Sequence, residues 1–434
     1  MTTRFRPPRH TTAVIGASSY DAQARAADQL RRAGRYDEAI QAFHSLTVQH
    51  PQRADAFSNL AGMLQAAGHP LLALQAISRA LELQPTSVPA LLNSAEIMKD
   101  FGEWQTVLDT YDAALTLQPS SPSVRFAHAV HLLTMGAWKE GWREHEARWH
   151  VPDMPLGMSA LHSPQWDGST LAGRTILLDH EQGLGDQIMC ARFASDVAAR
   201  GGVVIIRCAA ALATLLGAMP NVQAVITDAD AIPPHDVHAS LMSLPWLLDI
   251  DSPAALRGGA YLSPVGPCPP SLRTLPPHSR PRVGFVWGGN RQHRNDARRS
   301  ITPALLEPLV RCPGITAVSL QRHDTRDATV PEVLRPHLHD LGGALHDMND
   351  TAHALSQLDL LVTVDTSVAH LAGAMGVPTL LLVPFVPDWR WMTGRNDTPW
   401  YDAITLVRQT TLFDWRPVIT SVRARIEQLT TIGS

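Results

Sequence analysis

Residues 176–193 have the sequence Ile-Leu-Leu-Asp-His-Glu-Gln-Gly-Leu-Gly-Asp-Gln-Ile-Met-Cys-Ala-Arg-Phe. The apolar run at the start predicts a buried strand, and Gly183 and Gly185 predict a turn. Apolar residues after Asp186 recur at helical spacing. A strand, a glycine turn and a helix form the front half of a βαβ unit. Ligands of such sheets bind beyond the carboxyl ends of the strands, so we expect a ligand near this turn.

Asp186 stands at the start of the predicted helix and has two interpretations. As a functional residue, it presents a rigidly held carboxylate to the ligand. As a structural residue, it only caps the helix. The stretch lacks a third glycine at dinucleotide spacing, so by itself it does not specify a nucleotide.

The composition indicates a globular protein of several domains. The 434 residues suggest about two to four domains, and 45% apolar with 18% charged residues can build a sizeable core. A formal charge of −4 gives no reason to expect nucleic acid or an anionic membrane as a partner. The four cysteines are scattered, which fits a reducing compartment and neither a disulfide frame nor a zinc site. We find no signal peptide and no apolar run of membrane-spanning length, so we expect a cytoplasmic protein.

The first third of the chain repeats with a period of 34 residues. Glycine, proline and alanine recur at this step, at Gly34, Gly68, Gly102 and Gly136, at Pro51, Pro85 and Pro119, and at Ala27, Ala61, Ala95 and Ala129. The pattern resembles the tetratricopeptide repeat, in which small residues let paired helices approach and glycine and proline end the helices. Three full units span about residues 20–121. Such an array presents a concave surface to peptides or proteins, so we expect a protein partner.

A fourth unit departs from the pattern and carries Trp138, Trp142 and Trp149. These aromatic residues either pack against the following domain or belong to an ordinary capping repeat. We assign residues 1–19 to a disordered lead-in and residues 20–155 to the repeats.

Strands and helices alternate along the rest of the chain, which predicts two α/β domains. We place the first at residues 156–265, a proline-dense linker at 266–281 and the second domain at 282–434. Strands are expected at residues 176–178, 203–206, 222–226, 283–287, 315–320, 358–364 and 379–383. The predicted fold class is therefore α plus α/β, a helical array followed by a GT-B pair of Rossmann-like domains, the layout of GT-B glycosyltransferases.

Two motifs make a family resemblance specific. Gly-Leu-Gly-Asp at residues 183–186 resembles the glycine-turn aspartate of the heptosyltransferase-related family, glycosyltransferase family 9. Asp-Thr-Ser-Val-Ala-His at residues 365–370 resembles that family's Asp-Thr-Gly-x-x-His motif at the sugar-nucleotide site, with Ser367 in place of the glycine. The segments that begin at Trp287 and Pro387 are similar to bacterial proteins that couple tetratricopeptide repeats to such a domain, some of which glycosylate proteins.

The resemblance implies an acceptor side and a donor side. Asp186 would be the general base, with Gly183 and Gly185 beside it on the acceptor side. The helix that follows Asp365 would turn its free N–H groups and positive dipole end toward the diphosphate of the donor.

Further donor-binding candidates are Thr366, Ser367, His370, Gly288, Asn290, Arg291 and Gln321. The two hydroxyls are donors to phosphate but also ordinary helix caps, and His370 lies one turn into the helix, where it binds the donor or packs. The glycine turn places amides near phosphate, and Arg291, Arg298 or Arg299 supplies charge or lies on a solvated loop. Gln321 ends a strand, where it can reach the base or ribose.

Two other patterns are less specific. Trp389, Trp391, Trp400 and Tyr401 either stack on a base or sugar or pack the C-terminal segment. The Asp-x-Asp pairs at residues 228–230 and 249–251 suggest a metal, but they lie in loops of the first α/β domain and relatives of the GT-B class generally need none. We therefore expect neither a metal site nor a cofactor.

The sequence thus predicts an inverting, metal-independent glycosyltransferase with a nucleotide-sugar donor and a protein acceptor recruited by the repeats. A non-catalytic adaptor with a vestigial transferase domain is the alternative. A lipopolysaccharide-type transferase with a small acceptor is a third interpretation, against which the repeats argue.

Overall fold

The computed structural model describes residues 19–432, apart from residues 153, 155, 157–160, 257, 278, 294 and 324–329. The predicted lead-in at residues 1–19 lies outside this range, except for its last residue. The chain divides into two compact units between Gln118 and Pro119. This division falls within the range that we assign to repeats, so the fourth helix pair belongs to the second unit.

The first unit is a tetratricopeptide-like array of three antiparallel helix pairs. Its helices are α1 (Tyr20–Arg32), α2 (Tyr36–Gln49), α3 (Ala54–Ala66), α4 (Pro70–Leu83), α5 (Val88–Lys99) and α6 (Trp104–Leu117). A glycine with positive φ follows the first helix of each pair, at Gly34, Gly68 and Gly102, because the tight turn needs a left-handed residue. Ala27, Ala61 and Ala95 are buried where the helices touch, as the 34-residue period predicts.

The second unit opens with one further helix pair, α7 (Pro122–Met135) and α8 (Trp138–His145). Trp142 of this pair packs edge-to-face on Trp389 with ring centroids 5.2 Å apart, and Trp138 lies against Trp400 at 5.3 Å. Trp138 and Trp142 thus pack outside the repeats, as one of the two interpretations expects, although these ring partners belong to the predicted second α/β domain (residues 282–434) and not to the domain directly after the repeats. Trp149 instead lies under the guanidinium of Arg148.

A four-stranded parallel sheet follows, in the strand order β3-β2-β1-β4. Its strands are β1 (Thr175–Asp179), β2 (Val203–Arg207), β3 (Val222–Ile226) and β4 (Val237–Ser240). The helices between and after them are α9 (Leu184–Ala191), α10 (Ala194–Ala199), α11 (Ala213–Gly217) and α12 (Leu244–Leu247). The sequence did not predict β4, which is short and carries His238 and Ser240.

The proline-dense linker and the residue before it, Val265, are hydrogen-bonded to the second α/β domain. Val265 N–H donates to Asn349 Oδ1 at 2.8 Å, and Gln357 Nε2 donates to the Leu272 carbonyl at 3.1 Å. The buried side chain of Leu272 adds an apolar anchor. The linker therefore packs along the protein instead of crossing open solvent.

A six-stranded parallel sheet completes the second unit, in the strand order β10-β9-β8-β5-β6-β7. Its strands are β5 (Arg282–Val286), β6 (Thr316–Ser319), β7 (His339–Asp340), β8 (Leu360–Val364), β9 (Thr379–Val383) and β10 (Ile404–Arg408). Its helices are α13 (Asp296–Arg299), α14 (Glu307–Val310), α15 (Met348–Leu355), α16 (Ser367–Met375) and α17 (Arg416–Ile432). Among the described residues, no helix combines the length and apolar character that crossing a membrane requires.

Candidate functional site

Two strand-to-helix turns, one from each sheet, meet in the second unit. Helix α9 follows β1, helix α16 follows β8, and the two helices pack against each other. A Cβ atom on Gly185 would lie 2.7 Å from Cδ2 of the His370 ring, so only glycine permits this approach. The two motifs of the family resemblance are therefore in direct contact.

Asp186 does not cap helix α9. The N-cap residue is Gly183, and no side chain accepts a hydrogen bond from the first turn. The Asp186 carboxylate instead accepts from Nη2 of Arg390, which lies in the segment after β9. The structural interpretation of Asp186 as a helix cap is therefore wrong.

Arg390 is the central cation of the site. Its guanidinium contacts Asp186 on one side, and its Nη1 donates to Asp388 Oδ1 at 2.6 Å on the other. The backbone N–H of Arg390 also donates to Asp388 Oδ1, at 3.1 Å. Burial would lower the pKa of the guanidinium, but the charges of Asp186 and Asp388 outweigh it and raise that pKa. Arg390 therefore stays charged although it is only 9% exposed.

The charges of Asp388 and Arg390 also act on the carboxyl group of Asp365. Burial raises its pKa, the charge of Asp388 raises it further, and Arg299, Trp391 and Arg390 oppose this shift. The backbone carbonyl of Asp365 accepts a hydrogen bond from Arg299 Nη1 at 2.9 Å. Asp365, the first residue after β8, thus lies among charged side chains.

His370 is buried and packed on all sides. Its ring stacks on Trp391 with centroids 5.0 Å apart, and Nδ1 lies 2.9 Å from the Tyr401 hydroxyl. Burial, assisted by the charge of Arg390, lowers the pKa of His370 to about 3, so the ring is neutral at physiological pH. Its edge is turned toward Gly185, as the close approach above requires.

Thr366 and Gly289 lie together at the N-terminus of α16. Thr366 is the N-cap residue but makes no side-chain cap, and its buried Oγ1 has no hydrogen-bond partner in the part of the chain that the structure describes. A Cβ atom on Gly289 would lie 2.8 Å from Arg299 Nη2 and 3.3 Å from Thr366 Cγ2. Gly289, Arg299 and Thr366 therefore lie close together, while the neighbouring Ser367 is half-buried.

The remaining donor-side candidates hold the loop after β5 or face solvent. Gln321 is buried, and its Oε1 accepts from the N–H groups of Trp287 at 3.1 Å and of Gly288 at 3.0 Å. The side chain thereby fixes the glycine turn. Asn290 and Arg291 are exposed further along that loop.

The aromatic segment after β9 packs inside the protein. Trp389, Trp391, Trp400 and Tyr401 are all at least 94% buried. The packing interpretation is therefore confirmed. Met392, the residue after Trp391, has a φ of +51°. This is a strained backbone conformation, which the surrounding structure must stabilise.

The sequence did not indicate Arg390 as a site residue, and it offered Arg299 only as one of three loop arginines that could supply charge. Arg390 is 204 positions from Asp186 in the sequence. Its neighbours Trp389 and Trp391 suggested stacking on a base or sugar and not an ionic contact. Arg299 was one of several basic residues in a loop. An arginine flanked by buried aromatic residues and preceded by Asp388 was the available signal.

The Asp-x-Asp pair at residues 228–230 is engaged in hydrogen bonds within the first α/β domain. Asp228 accepts from Arg207 Nη2 at 2.5 Å and lies 3.1 Å from His180 Nε2, and Asp230 accepts from Thr227 Oγ1 at 2.8 Å. Within the described ranges, no group of three or more His, Cys, Asp or Glu side chains is arranged to hold a metal ion.

Comparison with known proteins gives partial likenesses. No family model matches the chain. Protein FlbA of Caulobacter vibrioides (strain ATCC 19089 / CIP 103742 / CB 15) is 26% identical over 325 residues, which cover 68% of this chain and 53% of FlbA. The chain thus spans about half the length of this relative.

Two solved structures are similar to parts of the chain. The Yersinia enterocolitica type III secretion chaperone SycD, in complex with a peptide of the translocator YopD, has 20% identity and a TM-score of 0.24, covering 26% of this chain and 92% of its own. A tetratricopeptide repeat protein from Parabacteroides merdae ATCC 43184 has 20% identity and a TM-score of 0.27, covering 31% of this chain and 53% of its own.

Proposed function

We propose that this protein is an inverting glycosyltransferase that moves a sugar from a nucleotide diphosphate donor to a protein acceptor. The contact between Gly185 and His370 carries the proposal, because it brings the two family 9-like motifs to one place between two parallel sheets. Such sheets bind ligands at the carboxyl ends of their strands, where both motifs lie. Independence from metal ions is implied by the resemblance alone.

The N-terminus of α16 supports a diphosphate on the donor side. Helix N-termini attract phosphate through free N–H groups and the helix dipole. The Thr366 hydroxyl, which has no partner among the described residues, and the Arg299 guanidinium add donors, and the lack of a side chain at Gly289 lets Arg299 Nη2 lie close to the backbone there. Asp186 belongs to α9, the helix that packs against α16.

Asp186 is the proposed general base. In the transfer step, the acceptor hydroxyl oxygen bonds to the anomeric carbon of the sugar while its proton moves to the Asp186 carboxylate. The bond between that carbon and the diphosphate oxygen breaks, and its electron pair leaves on the nucleoside diphosphate. Displacement from the opposite face inverts the anomeric centre.

The helical array supplies the proposed acceptor contact. Its six helices, from Tyr20 to Leu117, form a unit of their own and match the 34-residue period of peptide-binding repeats. We therefore propose that the array recruits the protein whose hydroxyl is modified.

A non-catalytic adaptor is the second candidate. The observation in its favour is the Asp186–Arg390 ion pair, which occupies the proposed base. In this case the array alone binds a partner, and the α/β unit is vestigial.

A thermal-shift screen against UDP-, GDP-, ADP- and CMP-linked sugars tests the proposal. A ligand at about 100 times its Kd adds about 2.7 kcal/mol to the free energy of unfolding, which such a screen detects. If the protein is a glycosyltransferase, at least one donor should raise its melting temperature, and the protein should hydrolyse that donor slowly. An adaptor responds to none of them and binds only a protein partner.

A further inference from the structure

We propose that Asp186 is the resident counterion of Arg390 and that the diphosphate of an incoming donor takes its place. Binding of the anion to Arg390 would then release Asp186 to accept the proton of the acceptor. The inference rests on the proposed function and deepens it, because it couples occupation of the donor side to the readiness of the base.

The two carboxylates that hold Arg390 differ in origin. Asp388 belongs to the same turn as Arg390 and accepts from both its backbone N–H and its Nη1, at 3.1 and 2.6 Å. Asp186 comes from the turn after β1, in the other sheet, and contacts only Nη2. Loss of Asp186 would leave the guanidinium held by Asp388, so Asp186 is the exchangeable partner.

Asp186 and Arg390 are both partly exposed to solvent. The side chain of Asp186 is 15% exposed and that of Arg390 is 11% exposed, so the pair lies at an edge of the buried cluster. The charge of Arg390 acts on both Asp365 and His370, which places it within electrostatic range of the start of α16. A diphosphate at that helix start would therefore feel the attraction of Arg390.

Independent features at the start of α16 indicate an anion. Thr366 is 8% exposed, and its hydroxyl has no partner among the described residues, although buried hydroxyls normally have one. Arg299 Nη2 faces the space where Gly289 has no side chain. These donors point to a ligand that brings several acceptor oxygens.

The exchange is physically reasonable because the buried Arg390 guanidinium keeps a counterion throughout, and the released Asp186 carboxylate is 15% exposed. Arginine binds phosphate and carboxylate with the same bidentate geometry, and a diphosphate carries more charge than one carboxylate. An ion-paired carboxylate is a weak base, whereas a carboxylate released from its arginine gains basicity. Base activation would thus follow donor binding, and a protein without donor would keep its base neutralised.

Calorimetric titration with UDP and, separately, with GDP tests the exchange. In Asp186→Asn, Arg390 loses its charged competitor, so we expect the nucleotide to bind roughly three- to tenfold more tightly. In Arg390→Gln, we expect binding to weaken at least about tenfold. In the double variant, Asp186→Asn should no longer change the affinity. Asp397→Asn is the matched control, because Asp397 pairs with Arg395 in the same segment and 72% of its side chain is exposed.

The outcomes separate this inference from the proposed function. If UDP or GDP binds the intact protein and Asp186→Asn leaves the affinity unchanged or weaker, the exchange is wrong while the glycosyltransferase proposal stands. If neither these nucleotides nor ADP and CMP bind, both proposals fail. Arg390→Lys replaces Arg390→Gln if the latter unfolds, since it keeps the charge but loses the bidentate fork.

Discussion

The guanidinium of Arg390 and the carboxylate of Asp186 form an ion pair across 204 positions of the sequence. The pair joins the turn after β1 in one parallel sheet to the segment after β9 in the other. Asp388 holds the same guanidinium from its own turn. The candidate base is thus part of a charged cluster that tertiary structure assembles, and its properties depend on that cluster.

Replacing Thr366 with Val tests whether its hydroxyl serves a ligand. The hydroxyl has no partner among the described residues, so the free energy of unfolding should stay within about 0.5 kcal/mol, while nucleotide affinity falls by about 0.5–1.5 kcal/mol. Urea unfolding and calorimetry measure the two quantities.

Thr379→Val is the matched control for that substitution. Thr379 is also buried, but its hydroxyl donates to the Val377 carbonyl at 2.8 Å. Its replacement should cost about 1–3 kcal/mol of stability and leave affinity unchanged. A Thr366→Val protein that loses stability but keeps its affinity would assign Thr366 a structural role.

Gly185→Ala should destabilise the contact between the two motifs. Its Cβ would meet the His370 ring, which Trp391 and Tyr401 keep from moving, so we expect a loss of about 1–3 kcal/mol in urea unfolding. Gly183→Ala is the control, because its Cβ would meet Asp186 Oδ2 at an ordinary 3.5 Å. Equal losses in the two variants would mean that the Gly185 contact is not tight.

The sequence predicted those parts of the fold that strong local patterns specify. The 34-residue period indicated the helical array, and apolar runs predicted strands such as β1, β3 and β9. Strand β4 was missed because Val237–Ser240 is short and alternates with polar residues. It is stabilised as a strand by pairing with β1, a contact that no local pattern reveals.

The candidate site shows the same limit. The sequence singled out Asp186 and His370, because each lies in a motif that follows a strand. It did not reveal Arg390, since a cation becomes part of a site through neighbours that are distant in the chain. It also did not indicate that Gln321 holds the turn at Gly288, because buried hydrogen bonds depend on tertiary packing.

Acid should destabilise the protein through His370. The unfolded chain takes up a proton on this ring near pH 6.5, whereas burial lowers the pKa in the folded protein to about 3. Stability is therefore lost as the pH falls from about 6.5 toward 3, with a slope of up to about 1.4 kcal/mol per pH unit from this group. The raised pKa of Asp365 acts in the opposite direction, so the slope must be compared between variants.

His370→Gln should flatten this dependence. Urea unfolding between about pH 5 and pH 7 measures the slope for the variant and for the unchanged protein. His337→Gln is the control, because His337 is exposed. A slope that stays the same in His370→Gln would contradict the buried, neutral state of the ring.

The helical array should fold without the rest of the chain. A fragment of residues 19–118 contains the three helix pairs of the first unit, and about three repeats are needed for a stable stack. We expect a helical circular-dichroism spectrum and a monomer in sedimentation. A fragment of residues 19–150 should self-associate, because it would expose Trp138 and Trp142. A largely β spectrum of the shorter fragment would contradict the repeat assignment.

Turnover of Asp186→Asn tests the central claim, which is that the protein transfers a sugar with Asp186 as the general base. Asparagine keeps the size of the side chain and an oxygen for Arg390 but removes the basicity. We expect transfer from the nucleotide sugar found in the screen to fall by roughly 10²–10⁴-fold, with the melting temperature retained and donor binding no weaker than in the unchanged protein. Turnover equal to that of the unchanged protein would remove Asp186 from the mechanism, and an unchanged protein with no turnover on any donor would favour the adaptor.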